Sequence, residues 1–73
     1  MNDYEKNYKR LKNLMEDFEE QNKTSIDFSD NKSELYLYFE SYGLYEKFVE
    51  LMRVNGYTSM GNDNKAQLIV MLK

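Results

Sequence analysis

Cysteine, histidine, proline and tryptophan are all missing from this 73-residue chain, and only three glycines occur. Without cysteine, neither a disulfide nor a thiolate metal site can form. Without histidine, the commonest metal ligand and the usual general base near neutral pH are gone. Without proline, nothing marks a cis turn or a rigid linker. The glycines Gly43, Gly56 and Gly61 stand singly, so no phosphate-cradling loop is present. No apolar run approaches the roughly 18 residues that a spanning helix needs. Met1 to Arg10 is polar and charged and lacks the apolar centre of a secretion signal. The expected location is therefore cytoplasmic, where the glycosylation-like Asn22-Lys23-Thr24 and Asn31-Lys32-Ser33 carry no meaning.

Enzyme chemistry fares no better. Ser25, Ser29, Ser33, Ser41 and Ser59 have no histidine to activate them, and the Gly-x-Ser-x-Gly turn is absent. Asp27, Ser29, Asn31 and Ser33 imitate the alternating oxygen ligands of a calcium loop. The pattern then fails, with Lys32 in place of the glycine and Tyr38 in place of the closing Glu. Asp17 and Glu20 could pair for acid–base work, but a chain this short rarely builds a pocket around such a pair. The expectation is a non-enzymatic protein without metal or cofactor.

What is present is enough to fold. Aromatic residues make up 15% of the chain, seven of them Tyr and four Phe. That supply of bulky apolar surface excludes a disordered reading. The length allows one domain, whose core alone supplies no more than about 3–5 kcal/mol. Association is the stabilising device left open, either as a homodimer or with a partner. The net charge of -3 argues against non-specific binding to nucleic acid or anionic lipid and suits a partner with a basic surface.

Periodicity orders the chain. Tyr4, Tyr8, Leu11, Met15 and Phe18, widened by Leu14, recur at steps of three and four and predict a helix over about Asp3 to Gln21, capped by Asn2 or Asp3. Then the period falls to two. Ile26 and Phe28 alternate with polar residues, Asp30-Asn31-Lys32-Ser33 is rich in turn formers, and Leu35, Leu37 and Phe39 alternate with Tyr36 and Tyr38. This predicts a β-hairpin, with a helix over Ser33 to Tyr42 as the competing reading. Leu44, Tyr45, Phe48, Val49, Leu51 and Met52 predict a second helix over Leu44 to Val54, stopped by Asn55-Gly56. Tyr57 to Met60 is a short strand, Gly61 to Asn64 a turn, and Gln67 to Leu72 a last strand, with a short helix from Asn64 as its alternative.

Asp30-Asn31-Lys32-Ser33-Glu34-Leu35 is echoed by Asp63-Asn64-Lys65-Ala66-Gln67-Leu68, and five apolar or Tyr positions follow in the second copy as in the first from Leu35. The predicted fold is thus α+β, ordered α-β-β-α-β-β. It is a single small domain of two helix-hairpin units, about 3–40 and 43–73, with two helices on one face of a four-stranded antiparallel sheet. The alternative is a small all-α bundle. Separately, Tyr42-Gly43-Leu44-Tyr45-Glu46-Lys47-Phe48 resembles the Gly-Leu-x-x-Tyr-x-x-x-Phe region of sterile alpha motif domains over seven residues. Tyr45 follows Leu44 by one position where that pattern has three, and too little chain follows for the remaining helices. No function is carried over.

Two surfaces follow from this layout. If Leu35, Leu37, Phe39, Leu68, Val70 and Leu72 face the helices, Tyr36, Tyr38, Ile69 and Met71 face away, and a two-layer fold has nothing to cover them. The second surface is acidic, formed by Glu16, Asp17, Glu19 and Glu20 at the end of the first helix, with Asp27 and Asp30 beyond. It could imitate a phosphate backbone on a basic site, or simply be a solvated face. Stacking of nucleic-acid bases on Tyr36 and Tyr38, with Lys32 and Lys65 beside them, is disfavoured by the acidity. The expected function is a regulator or inhibitor that masks a surface of another macromolecule, including a basic nucleic-acid-binding protein. Size and composition fit a phage or mobile-element factor. The alternative is a homodimeric module whose sheet face is its own interface.

Overall fold

The computed structural model describes residues 3–31, 33–62 and 64–72, and its elements follow the order α1 (Asp3–Asn22), β1 (Asp27–Asp30), β2 (Glu34–Tyr38), α2 (Tyr42–Val54), β3 (Ser59–Asn62) and β4 (Gln67–Met71). All pairings are antiparallel and the strand order is β1-β2-β4-β3, so the two hairpins meet through β2 and β4. Asn2 and the side chain of Asp3 lie outside the described residues, and with them the cap expected at the first helix start. So do Lys32 and Asp63, one member of each echoed triplet.

The core is the slab between the helices and the sheet. Leu11, Met15 and Phe18 of α1 and Tyr45, Phe48 and Met52 of α2 close over Leu35, Leu37, Leu68 and Val70. Ile26, Phe39 and Leu72, just outside the strands, complete it. Full burial of such a side chain contributes about 1.5–3 kcal/mol. Phe48 sits at the centre, edge-on to Phe18 at 5.1 Å and tilted against Phe39 at 5.3 Å, so one aromatic trio joins both helices to the end of β2. Phe28 shares the helix side with this layer but stays 40% exposed, its ring covered by the Lys12 ammonium at 3.8 Å.

The helix ends are built alike. Asn22 Nδ2 donates to Phe18 O (3.0 Å) and Asn55 Nδ2 to Leu51 O (2.8 Å). Thr24 N donates to Glu19 O and Tyr57 N to Met52 O, the six-to-one bond of a Schellman cap. The residue between is left-handed both times: Lys23 at φ 51° and Gly56 at φ 81°. Every one of these pairs is separated by the same 33 positions as Asp30 and Asp63.

The turns are not built alike. In the first hairpin Asn31 N bonds Glu34 O, leaving two loop residues, and Asn31 Oδ1 accepts from Ser33 N and Glu34 N. In the second, Asn62 pairs with Gln67 across a four-residue loop, and Asn62 Oδ1 accepts from Asn64 N. The strand that sequence periodicity ends at Met60 therefore runs on through Gly61 and Asn62. Gly61 is tolerated there because a side chain would not fit: a Cβ would lie 1.6 Å from the Tyr45 hydroxyl. The second helix also starts earlier than its apolar pattern shows, at Tyr42, because Ser41 Oγ accepts from Leu44 N as its N-cap. The segment resembling a sterile alpha motif forms the first turns of this helix in an α+β fold.

Two substitutions test these backbone devices. Lys23→Gly removes a left-handed strain of about 1–2 kcal/mol at the cost of extra chain entropy, so a net gain of about 0.5–1 kcal/mol is expected in urea denaturation. Gly61→Ala should cost about 1–3 kcal/mol through the Tyr45 clash. Part of that loss should return when Tyr45→Phe is added, as a double-mutant cycle would show.

Candidate functional site

The bonding alternation of β2 with β4 fixes which side chains share the uncovered face. Leu72 N donates to Ser33 O (2.9 Å) and Phe39 N to Ala66 O (3.0 Å). Between these ends Leu35 lies opposite Val70, Tyr36 opposite Ile69 and Leu37 opposite Leu68. Leu35, Leu37, Leu68 and Val70 are buried under the helices. Tyr36, Tyr38, Ile69 and Met71 therefore project to the other face, since successive strand residues alternate. Tyr36 and Ile69 fall at a non-hydrogen-bonded pair, where Cα atoms stand only about 4.5 Å apart and side chains touch most closely.

Neighbouring strands extend this into rows. Ser29, Tyr36, Ile69 and Met60 cross the sheet in one line, and Asp27, Tyr38, Gln67 and Asn62 in the next. Met60, 60% exposed, is the member that sequence reasoning missed. The sequence places it at the end of a short strand, but the turn-like Gly61 and Asn62 that follow hide its pairing with Ile69. Tyr38 is 42% exposed, whereas Tyr36, Ile69 and Met71 are half-buried. The charges on these strands that join this face, among the described residues, are Asp27 and Glu34, both carboxylates.

The Tyr36 hydroxyl donates to Glu34 Oε1 (3.0 Å), and Asn31 Nδ2 approaches the same carboxylate oxygen at 3.2 Å. The hydrogen bond and the negative charge of Glu34 raise the Tyr36 pKa above the ordinary tyrosine value, because ionisation would set two anions side by side. The phenol thus stays a neutral donor at the rim of the apolar row.

The acidic residues do not form one surface. Glu19 Oε2 accepts from Ile26 N at 2.7 Å and so closes the connection from α1 to β1. Asp30 lies on the helix side, where burial first and then its hydrogen bond raise the pKa of Tyr8. Asp27 lies on the open sheet face, opposite Tyr38. Glu16, Asp17 and Glu20 remain together on the exposed side of α1. Among the described residues no group of three or more carboxylates gathers where it could hold a metal ion, and no helix is long and apolar enough to cross a membrane.

No protein-family model, curated protein or solved structure matches the chain.

Spectrophotometric titration tests the local electrostatics. Tyr36, identified by its loss in Tyr36→Phe, should ionise above the ordinary value near 10.0. Glu34→Gln should bring it back down. A phenol unmoved by Glu34→Gln would show that this carboxylate does not control it.

Proposed function

We propose that the protein is a non-enzymatic regulator or inhibitor that works by laying its open sheet face on a surface of another protein. One observation carries this reading: the β2–β4 register sets Tyr36, Tyr38, Ile69 and Met71, with Met60 beside them, on the face that neither helix covers. Contiguous apolar patches of this kind mark interaction sites, and Tyr and Met are enriched in interfaces. The two carboxylates Asp27 and Glu34 at the margins favour a partner with basic groups around an apolar surface, such as a nucleic-acid-binding protein whose site would be masked. Small size and acidity suit a phage or mobile-element factor of that kind.

The test is capture of a partner from lysate by the tagged chain and by Tyr38→Asp and Ile69→Asp, each checked for a native circular dichroism spectrum. Folded variants should lose the partner by tenfold or more, since a buried unpaired carboxylate costs several kcal/mol. Capture by the parent chain should persist at high salt, because the centre of the contact is apolar. Retention of the partner by both folded variants would refute the sheet-face reading. A parent chain that captures nothing but forms a salt-resistant dimer, lost in the same variants, would assign the face to a second copy.

A further inference from the structure

The exposed side of α1 carries a charge pattern that works against its own helix. Lys6, Lys9, Arg10 and Lys12 are followed, with no anion among them, by Glu16, Asp17, Glu19 and Glu20 with no cation among them. Four residues apart, the like-charge pairs Lys6–Arg10 and Glu16–Glu20 offset the opposite pairs Glu5–Lys9 and Lys12–Glu16, and three apart Lys6–Lys9, Lys9–Lys12, Glu16–Glu19 and Asp17–Glu20 are all like-charged. The last turn holds Glu19 and Glu20 and no basic residue, against the helix dipole. Yet Lys6, Lys9, Asn13, Asp17 and Glu20 are all exposed, on the side opposite Leu11, Met15 and Phe18 at 3.6 residues per turn. None of the four charged members makes an ion pair among the described residues, where the salt bridge found is Glu50 with Arg53.

The pattern is self-complementary about Asn13. Set two copies of α1 antiparallel with their two-fold axis at Asn13, and the level of residue 6 meets that of 20, 9 meets 17, and 10 meets 16. An antiparallel pair brings like flanks together. On one flank Lys9 then falls between Glu16 and Glu20 of the second copy. On the other Asp17 falls beside Lys6, with Arg10 behind it, tied to Asn55 Oδ1 and stacked on Tyr57. Lys6, Lys9, Arg10, Glu16, Asp17 and Glu20 are thus answered across the axis, while Lys12 and Glu19 keep their contacts with Phe28 and Ile26 of their own chain.

We infer that the outer face of α1 is a homodimer interface, in which a second copy of this chain docks antiparallel about Asn13 through complementary charge. Because α1 lies on the helix layer, such a dimer leaves both open sheet faces pointing outward and free. The inference therefore does not depend on the function proposed for the sheet face. A pairing made of exposed ion pairs is weak and salt-sensitive.

Analytical ultracentrifugation at about 0.05 M and about 0.5 M salt tests it, since screening shortens severalfold in reach over that range. Dimer at low salt and monomer at high salt is expected. Glu16→Lys/Asp17→Lys/Glu20→Lys and Lys6→Glu/Lys9→Glu should each be monomeric alone and form a one-to-one dimer when mixed at low salt. The chain has no other thiol, so Asn13→Cys should oxidise to a covalent dimer at low salt at least tenfold faster than Tyr38→Cys on the sheet face. Monomer at both salts would overturn the inference. So would a dimer unmoved by salt, by charge reversal or by mixing, or faster cross-linking through Tyr38→Cys.

Discussion

Leu35 against Val70 and Leu37 against Leu68 hold the two hairpins in one sheet, and most other features depend on that register. These four side chains are the floor on which both helices rest. Because the strand period is two, fixing them toward the helices leaves no freedom for Tyr36, Ile69 and Met71. A slip of one residue would bury the tyrosines and expose the leucines. The core and the proposed binding face are therefore two consequences of one pairing, and neither can be changed without the other.

Tyr36 and Ile69 are partners across β2 and β4 and also occupy corresponding places in the two helix-hairpin stretches, 33 positions apart. A local two-fold axis consequently passes between them, carrying Leu35 onto Leu68 and Leu37 onto Val70. The same spacing relates the Asn22 and Asn55 bonds at the helix ends. The edge strands break it. Phe28 opposes Leu37 and Ser59 opposes Val70, so β1 and β3 correspond over 31 positions. The second half spends two fewer residues between helix and sheet and two more in the hairpin loop. The echo of Asp30-Asn31 in Asp63-Asn64 thus aligns the inner strands while the turns themselves differ: the turn-capping place of Asn31 is taken by Asn62.

That displacement explains what could be read from the sequence. Long periodic runs such as Tyr4 to Phe18, and the alternating Leu35 to Phe39, state their element and buried side directly. The fold class and the inner-strand faces follow from them. Gly61 misleads because its reason is tertiary. A glycine next to Asn and Asp signals a turn locally, and only the Tyr45 hydroxyl packed against it shows why a strand needs it. Met60 falls within the strand that the sequence predicts, but with Gly61 and Asn62 reading as turn its pairing with Ile69, and so its face, goes unassigned. The dispersal of the acidic residues was partly legible: Asp27 and Asp30 are three apart, and an odd separation in a strand sends side chains to opposite faces. The bond from Ile26 N that occupies Glu19 could not be foreseen, since it joins an irregular connection to a helix end.

The molecule has two sides of opposite chemistry. The sheet side is an apolar row with carboxylates at its margin, and its helix side carries cations and anions sorted along α1. Contacts made through them would respond differently to salt: an apolar one hardly at all, an ionic one steeply. They also differ in what they cost the free chain. An open apolar face does not strain the fold, because the strands beneath it are fixed by burial on the other side. Sorted charge does strain it, since Glu16, Asp17, Glu19 and Glu20 repel one another at the helix end where a cation would be favourable. Interspersing the same ten charges of α1 would relieve that repulsion without touching Leu11, Met15 or Phe18. Arg10, Lys12 and Glu19 are held by contacts within the chain; for Lys6, Lys9, Asp17 and Glu20 the sorted order would find its use in the antiparallel contact inferred above, where the two ends of the helix are set against each other.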